Sequence, residues 1–382
     1  MKFDYFASCP RGLEKILSDE LKKIKAVSII EVDGGVSFSG SLETMYRANL
    51  ESRIATRILF RLKKGEYESE EDLYNSALSI KWTSLFDVSK SIKLSTTGVK
   101  CPLKSIDFMT LRIKDAVCDQ FRKEVDSRPD VDIREPNVRI HLYLEKNEYQ
   151  LYLDTSGKPL YQRGFRKSSV VAPLRENLAA GIIGLSGWTP GNVLLDPMCG
   201  SGTFLIEAAM IAQNQIPGLK RSFGFEHWKN FDSNLFSKLK TEYKAKVKPI
   251  SFAKIYGSDI DLRSIRVAKT NLEEAGLAEV VQLSCKNFTE IEPPLSESEN
   301  ILITNPPYGE RIGEDIELNS TYPIWATILK QKFAGWRTYF LTNDLRMPKL
   351  MRLAPSKKTP LYNGALDCRL FEIMMVKGSN RK

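Results

Sequence analysis

The chain has 382 residues and a formal net charge of +9, from 56 lysines and arginines against 47 aspartates and glutamates. Hydrophobic residues make up 42% and charged residues 27%, which excludes a disordered chain, a collagen-like fibre and a small disulfide scaffold. No apolar run approaches the roughly 20 residues of a membrane-spanning helix, and the N-terminus lacks a signal-peptide core. We therefore expect a soluble, cytoplasmic protein of two or three domains.

The first 62 residues have the pattern of a ferredoxin-like domain. Apolar spacing and alternation predict six elements in the order strand, helix, strand, strand, helix, strand. The segments are 3–9, 11–24, 28–32, 36–38, 41–49 and 53–63.

A second α+β unit is predicted over 63–157. Its long helix carries an apolar face, and its last two strands alternate as a pair. The segments are a helix at 73–80, a strand at 91–96, a helix at 105–124, and strands at 138–144 and 148–154. Lys158-Pro159 and Gln162-Arg163-Gly164 then have the composition of a linker.

From about residue 170, apolar strands alternate with helices, which predicts a doubly wound α/β domain over 158–382 with a mostly parallel sheet. Such sheets bind ligands at the carboxyl ends of their strands. The segments are a helix at 174–185 and strands at 193–195, 254–257, 280–284 and 300–304.

The first motif of this domain is LLDPMCGSGT, between a strand and the helix at 204–212. Gly200 and Gly202 permit a tight turn close to a ligand, and the free N–H groups of the following helix can receive a carboxylate. No Gly-Lys-Ser/Thr follows, which excludes a P-loop, and Leu205 breaks the G-x-G-x-x-G dinucleotide pattern.

Two further loops follow predicted strands. Asp259 stands at the tip of IYGSDID, where a carboxylate can accept hydrogen bonds from a ribose diol, and Asp261 is placed to cap the next helix. Asn287 and Phe288, in CKNF, suit the edge and the face of an adenine, although an ordinary surface loop fits the same residues.

The fourth motif is ILITNPPYGER, after the strand at 300–304. Two consecutive prolines fix φ and remove two N–H donors, so the Asn305 side chain and the Pro306 carbonyl point outward. Together with Pro307 and the ring of Tyr308, they form a rigid slot with two acceptors beside an aromatic face. An exocyclic amine on a planar base fits this slot.

DPMCGSGT, GSDID and NPPYGER in this order resemble class I S-adenosylmethionine-dependent amino methyltransferases. RGFR at 163–166 and APLRENLAA at 172–180 resemble the lead-in of bacterial rRNA guanine-N2 methyltransferases, and 111–121 and 138–166 resemble their THUMP domain. The resemblance implies a Rossmann-like catalytic domain preceded by ferredoxin-like and THUMP domains, with S-adenosyl-L-methionine as cofactor and S-adenosyl-L-homocysteine as product.

The resemblance also assigns roles to residues. The Asn-Pro-Pro-Tyr residues would hold the target base, Asp259 would bind the cofactor's ribose, and Asn287 and Phe288 would face its adenine, although many relatives have aspartate where Asn287 stands. The other predicted cofactor-binding residues are Pro173, Asp196, Pro197, Cys199, Gly200, Ser201, Gly202, Thr203, Ile260 and Asp261.

These observations predict methyl transfer to the N2 amine of a guanine in 23S ribosomal RNA. Hydrogen bonds to Asn305 and Pro306 would make the amine nitrogen more pyramidal and stabilise its developing positive charge. An N6-adenine methyltransferase shares the slot and is one alternative. A catalytically silent RNA-binding assembly factor is another, against which the intact Asp196, Asp259 and Asn305 argue.

The charge distribution suggests a polyanionic substrate, most simply a nucleic acid, although a solvated surface would carry the same charges. The resemblance implies ribosomal RNA, as naked rRNA or a pre-ribosomal particle. Residues 1–160 carry 26 basic and 25 acidic side chains, whereas 161–382 carry 30 and 22, so the excess lies in the catalytic half. The oligomeric state is left open. The candidate RNA contacts are Lys93, Lys100, Lys104, Arg112, Lys114, Arg163, Arg166 and Lys167.

Metal chemistry is not expected. The six cysteines are widely spaced, none forms a Cys-x-x-Cys pair, and only two histidines, His141 and His227, are present. Zinc sites need clustered cysteine and histidine ligands, so we expect reduced thiols and no metal.

Overall fold

The structure is a computed structural model that describes residues 2–166, 174–249, 253–294, 299–307 and 314–376, with side chains in the last range from 320 onward. Within these ranges the strands form two seven-stranded sheets. Tyr308, Pro173 and Lys167, three of the residues predicted to be functional, lie outside the described residues.

The first sheet has the strand order β2-β3-β1-β4-β7-β6-β5. Four helices accompany it: α1 (Glu14–Lys23), α2 (Leu42–Glu51), α3 (Glu70–Leu78) and α4 (Ile106–Val125). Its strands are β1 (Phe3–Ser8), β2 (Val27–Val32), β3 (Gly35–Gly40), β4 (Arg57–Glu66), β5 (Ile92–Val99), β6 (Val138–Glu145) and β7 (Glu148–Asp154).

The predicted β-α-β-β-α-β order is confirmed for β1 to β4. Strand β4 begins later than the predicted segment and extends three residues beyond it, because it pairs with β1 through residues 57–60 and with β7 through residues 59–66. The sheet therefore runs without a break from the ferredoxin-like part into the next unit. The expected boundary between residues 62 and 63 falls inside this strand, and the division into domains stays a prediction.

The second sheet has the order β10-β9-β8-β11-β12-β14-β13, in which β8 to β12 are parallel and β14 is antiparallel to both of its neighbours. The strand order reverses at β8, which lies between β9 and β11, and ligands bind at such switch points. The predicted α/β class, with a doubly wound, mostly parallel sheet, is confirmed. The strands are β8 (Val193–Asp196), β9 (Ile255–Asp259), β10 (Val281–Cys285), β11 (Asn300–Thr304), β12 (Arg337–Thr342), β13 (Lys357–Asn363) and β14 (Leu366–Met374).

Helices cover both faces of this sheet. Nine of the ten residues of the short α6 are buried, since all but Glu207 are apolar or small. The helices are α5 (Glu176–Ser186), α6 (Thr203–Ala212), α7 (Ser233–Ala245), α8 (Leu262–Ala275), α9 (Glu314–Lys332) and α10 (Met347–Met351). In the part of the chain that the structure describes, no helix is both long enough and apolar enough to cross a membrane.

One hydrophobic core joins the two sheets. The ring of Tyr46 on α2 lies 4.7 Å from that of Phe225 and 5.5 Å from that of Phe236, both in the catalytic half. Phe60 on β4 packs against Trp228 in the same way, with ring centroids 5.8 Å apart. Aromatic pairs of this kind bury large areas, so the two halves are held in a fixed arrangement.

The contact between α5 and the N-terminal half gives a test of this packing. A methyl group on Gly181 would lie 2.3 Å from Cδ1 of Leu13, which is fully buried. Although alanine normally favours a helix, we expect Gly181→Ala to lower the free energy of unfolding by about 1–3 kcal/mol in urea denaturation, because the core is overpacked.

Gly184→Ala is the matched control, one turn further along α5. Its methyl group would approach only the terminal Cδ1 of Ile16, at 3.2 Å, so no loss of stability is expected. Equal effects of the two substitutions would contradict the described contact.

Candidate active site at the carboxyl edge of the second sheet

The predicted motifs meet at one edge of the second sheet. Asp196 ends β8, Asp259 ends β9, and Asn305 directly follows β11. Because β9 and β11 flank β8 in parallel register, all three lie at the carboxyl ends of neighbouring strands. The sequence prediction that these residues converge agrees with this arrangement.

The loop between β8 and α6 is turned by its glycines. Gly200 and Gly202 have φ values of 51° and 80°, the left-handed region that favours glycine. A methyl group on Gly202 would also lie 3.2 Å from Cβ of Ala268 on α8. No side chain caps α6 at Gly202, so the N–H groups of its first turn point toward the loop as donors for an anion.

This loop is held from three sides. The N–H of Gly200 donates to Asp259 Oδ2 at 2.9 Å, and the amide of Asn271 on α8 donates to the Ser201 carbonyl at 3.1 Å. From the third side, Arg166 donates to Thr203 Oγ1 at 3.0 Å. The loop is therefore positioned by hydrogen bonds from within the protein.

Asp259 retains the capacity to bind a diol. Its Oδ2 accepts from Gly200 and its Oδ1 accepts from the N–H of Asp261 at 2.9 Å, which leaves a second lone pair on each oxygen. Asp261 caps α8 by accepting from the N–H of Arg263 at 2.9 Å, as the sequence indicates. Ile260 between them is 68% exposed and offers an apolar surface beside the carboxylate.

Asp196 is a buried carboxyl group, only 2% exposed, and Pro197 beside it is buried as well. Burial raises the pKa of Asp196 to about 7, the negative charge of Asp259 acts in the same direction, and the hydrogen bond from the N–H of Met198 opposes both. Burial also raises the pKa of the Cys199 thiol well above its ordinary value. Burial thus opposes the charged form of Asp196, which a cation beside it would favour.

The residues predicted to contact adenine are differently placed. Asn287 caps the 3-10 helix Phe288–Glu290: its Oδ1 accepts from the N–H and the hydroxyl of Thr289 at 3.0 and 3.1 Å. Phe288 is buried, and its ring packs on that of Trp325 at 5.3 Å. Asn287 and Phe288 therefore stabilise the loop that follows β10. That either residue contacts the adenine stays a prediction.

The described residues of the predicted target-base slot differ in their exposure to solvent. Asn305 is half-buried, Pro306 is buried and Pro307 is exposed. The preceding Thr304 is completely buried in β11. The slot therefore begins on a rigid strand and ends in solvent, where a substrate can reach it.

Two of the residues predicted to contact RNA make contacts inside the protein instead. Arg163 is buried and pairs with Glu207 on α6, Nε to Oε1 at 3.1 Å. Arg166 is half-buried, and its Nη2 donates to Thr203 and to the carbonyl of Leu174 and pairs with Glu176 on α5. The sequence prediction fails for Arg163 because a guanidinium that is paired inside the protein does not reach a phosphate.

The remaining candidates lie on the N-terminal half. Lys93 donates to a backbone carbonyl at 2.9 Å, and Arg112 and Lys114 each pair with an acidic side chain, at 2.6 and 2.8 Å. Lys100 and Lys104 are exposed, and across the described part of the chain they form no salt bridge. These two are the best placed of the set for phosphate contacts.

Sequence reasoning missed three residues that organise the site: Asn271, Glu207 and Trp325. Glu207 had a visible signal, because it is the only charged residue in the apolar helix TFLIEAAMIA. Asn271 and Trp325 had none, because their partners are distant in the sequence.

The described residues fit the predicted cofactor and offer no metal site. A helix N-terminus without a side-chain cap, a carboxylate with acceptor capacity for a diol and a buried carboxyl group of raised pKa suit a carboxylate, a ribose and a cationic centre. Among the described residues, no group of three or more histidine, cysteine, aspartate or glutamate side chains is placed to hold a metal ion.

The raised pKa of Asp196 predicts a pH-dependent cost of burial. The pKa of this carboxyl group is higher in the folded than in the unfolded state, so the folded protein holds the proton more tightly. Its contribution to the free energy of unfolding therefore falls as the pH rises from about 4 to about 7. We expect Asp196→Asn to raise the melting temperature by at least about 2 °C at pH 8 and much less at pH 5.

Asp261→Asn is the control for this measurement. Asparagine caps a helix as well as aspartate, and the hydrogen bond from Arg263 lowers the pKa of Asp261. A higher melting temperature at pH 8 for Asp261→Asn, or an unchanged one for Asp196→Asn, would contradict the predicted cost of the buried Asp196 charge.

Known protein families match three stretches of the chain. Residues 163–372 match the family described as RMKL-like, methyltransferase domain. Residues 67–154 match the THUMP domain, and residues 4–59 match the RlmL ferredoxin-like domain.

Individual relatives cover nearly the whole chain. The ribosomal RNA large subunit methyltransferase K/L of Shewanella frigidimarina (strain NCIMB 400) is 40% identical over 371 residues, which are 96% of this chain and 52% of that protein. The chain thus spans about half the length of the curated relatives it matches.

Two solved structures are similar over their full length. A "possible methylase" from Clostridium difficile 630 has 30% identity and a TM-score of 0.89, with 100% of both chains covered. SMU.472, solved in complex with SAH, has 29% identity and a TM-score of 0.88, with 99% of each chain covered.

The resemblance and the cofactor predicted from the motifs are both supported. The family is one of methyltransferases, and S-adenosyl-L-homocysteine is the product form of the predicted cofactor. The match covers more than half of the sequence and contains every motif of the carboxyl edge. The chain therefore belongs to the RMKL-like methyltransferase family.

Proposed function

We propose that the protein transfers a methyl group from S-adenosyl-L-methionine to the exocyclic N2 of a guanine in 23S ribosomal RNA. The observation that carries this proposal is the juxtaposition of Asp196, Asp259 and Asn305-Pro306 at the switch point of the second sheet. The THUMP match in the same chain and the rRNA methyltransferase names of the curated relatives favour RNA as the substrate.

Different residues of the carboxyl edge bind different groups of the cofactor. Asp259 accepts the ribose hydroxyls, the first turn of α6 receives the carboxylate, and Asp196 offers its charge to the cationic part. When bound, the cofactor supplies an electrophilic methyl group. The rigid loop between β8 and α6 fixes where that group stands relative to Asn305.

Asn305 and Pro306 orient the nucleophile. The lone pair of an exocyclic base amine is delocalised into the ring, which makes the nitrogen a poor nucleophile. Hydrogen bonds from its two N–H groups to the Asn305 side-chain oxygen and the Pro306 carbonyl favour a pyramidal nitrogen with its lone pair directed at the methyl group. The same oxygens stabilise the positive charge that develops, and the proton leaves to solvent afterwards.

The target base must leave its helix to enter this slot, because a stacked base cannot present its amine to a site at a sheet edge. The N-terminal half then holds flanking RNA, and Tyr308 is proposed to stack on the extruded base. Since the first sheet and the catalytic domain share one core, the distance between the bound RNA segment and the slot is fixed.

The choice of base separates this proposal from its rivals. An N6-adenine methyltransferase would use the same acceptors, and a silent assembly factor would bind RNA without the cofactor. Mass-spectrometric mapping of rRNA from cells with and without the protein decides between them. Loss of N2-methylguanine supports the proposal, whereas loss of N6-methyladenine, or no loss with intact RNA binding, contradicts it.

Substitution of Asn305 tests the catalytic role. We expect Asn305→Ala to lower kcat by on the order of 10²–10³, by analogy with the loss of one preorganised polar group, while the affinity for the cofactor stays close to that of the wild type. The measurement is methyl transfer to unmodified 23S rRNA, with calorimetric titration of S-adenosylhomocysteine.

Asn300→Ala is the matched control, because Asn300 is the half-buried asparagine at the opposite end of the same strand. It should leave the rate unchanged. Full activity of Asn305→Ala would remove Asn305 from the mechanism.

Lys100 and Lys104 provide a test of RNA binding. We expect the double substitution to alanine to weaken rRNA binding and to reduce the slope of log affinity against log salt by about 0.7–0.9 for each phosphate that the protein no longer neutralises. Lys15 and Lys22, which both pair with Asp19 on α1, give the control pair. An unchanged slope for Lys100 and Lys104 would place the RNA elsewhere.

A further inference from the structure

The segment that leads from the first sheet into the catalytic domain lies against helix α6. Arg163 in this segment is almost completely buried, with 1% of its side chain exposed. Its Nε donates to Glu207, its Nη1 to the carbonyl of Leu160, and its Nη2 to the carbonyl of Arg53 at 2.6 Å. Every nitrogen of the guanidinium is thus used inside the protein.

Glu207 is a carboxylate with no exposed surface, and both cations near it come from outside the catalytic sheet. Arg163 belongs to the incoming segment, and Arg53, whose Nη1 lies 3.7 Å from Glu207 Oε2, belongs to the loop between α2 and β4. A buried charge without its partner is costly, so this pair ties α6 to the N-terminal half.

Arg166, in the same segment, makes a second contact with α6, one helical turn before Glu207. Its Nη2 donates to the carbonyl of Leu174 at 2.9 Å and to Thr203 Oγ1 at 3.0 Å, and it lies 3.3 Å from Glu176 Oε1. Thr203 is the first residue of α6 and directly follows Gly202 in the loop.

The two arginines therefore form hydrogen bonds with α6 at positions 203 and 207, one helical turn apart.

The contacts that Asp259 and Asn271 make with the glycine loop originate within the catalytic sheet and its helices. The contact from Arg166 is the one that comes from the segment following the first sheet.

We propose that Arg166 is a positioning residue for the cofactor loop, and that it acts together with the buried Arg163–Glu207 pair as a clasp on α6. The clasp sets where the N–H groups of the first turn of α6 stand, and therefore the affinity for S-adenosyl-L-methionine. This inference rests on the proposed function, since it assigns the ligand of that turn.

The geometry separates this role from RNA contact, which the sequence suggested for both arginines. Only 19% of the Arg166 side chain is exposed, and its Nη2 is turned toward internal oxygen acceptors. These contacts use Nη2 to hold internal groups, so the described geometry of Arg166 favours a positioning role over a phosphate contact. Substitution should therefore change cofactor binding and leave the salt dependence of RNA binding as it is.

The test uses two variants of the full chain, Arg166→Ala and Arg166→Lys. Lysine keeps a positive charge near Glu176, which is 5% exposed at its side chain, but it cannot reproduce the planar set of contacts. Calorimetry with S-adenosylhomocysteine should give a dissociation constant roughly tenfold higher for both variants. If Arg166→Ala does not fold, Arg166→Lys with a wild-type melting temperature decides the question.

A control and a rescue make the result specific. Arg175→Ala removes an exposed neighbouring arginine whose guanidinium rests on Tyr161 at 5.1 Å, and it should leave this dissociation constant unchanged. Thr203→Val should weaken binding, whereas Thr203→Ser, which keeps the hydroxyl, should not. Combined with Arg166→Ala, Thr203→Val should add little, because both substitutions break the same contact.

Steady-state kinetics provides the second readout. The clasp predicts a raised KM for S-adenosylmethionine, an unchanged KM for rRNA and an unchanged salt slope of RNA binding. Wild-type affinity for S-adenosylhomocysteine in a folded Arg166 variant, or a smaller salt slope, overturns the inference while the proposed function stands. Failure of the wild-type protein to bind S-adenosylhomocysteine overturns both.

Discussion

The buried carboxylate of Glu207 is the point on which the two halves of the molecule depend. It sits on a helix that is otherwise apolar, and among the described residues it pairs with Arg163, from the segment that follows the first sheet, and with Arg53, from the N-terminal half. Because a buried charge without a partner is costly, these pairs link the position of helix α6 to the N-terminal half. Because α6 also begins at the glycine loop, this link extends from the interface to the active site.

The active site achieves its geometry mainly with backbone groups. Asp259 orders the glycine loop by accepting a hydrogen bond from the N–H of Gly200, and Asp261 orders the start of α8 by accepting one from the N–H of Arg263. Burial raises the pKa of Asp196, which means that the charged form of this carboxyl group destabilises the folded protein. Under the proposed function, the cationic part of the cofactor offsets the cost of this buried carboxylate, so the site exchanges stability for function.

Local pattern placed the motifs of the carboxyl edge correctly in the fold, but it misjudged the surroundings of Arg163. The motifs at Asp196, Asp259 and Asn305 were found because each directly follows a short apolar strand, and parallel strands align their ends. The role of Asp261 as a helix cap followed from spacing alone. The predicted RNA contact at Arg163 failed because a lone arginine in a linker-like stretch reads the same whether it faces solvent or a buried glutamate 44 residues away.

The sequence by itself determined the class of the fold, the order of the elements and the residues of the carboxyl edge, because periodicity and turn chemistry act between neighbours in the chain. Only the tertiary structure decided how these parts are joined. The unbroken first sheet through β4, the Arg163–Glu207 pair and the burial of Phe288 against Trp325 all depend on residues far apart in sequence. Such contacts leave no local signal, since their energy arises from burial and pairing that exist only after the chain has folded.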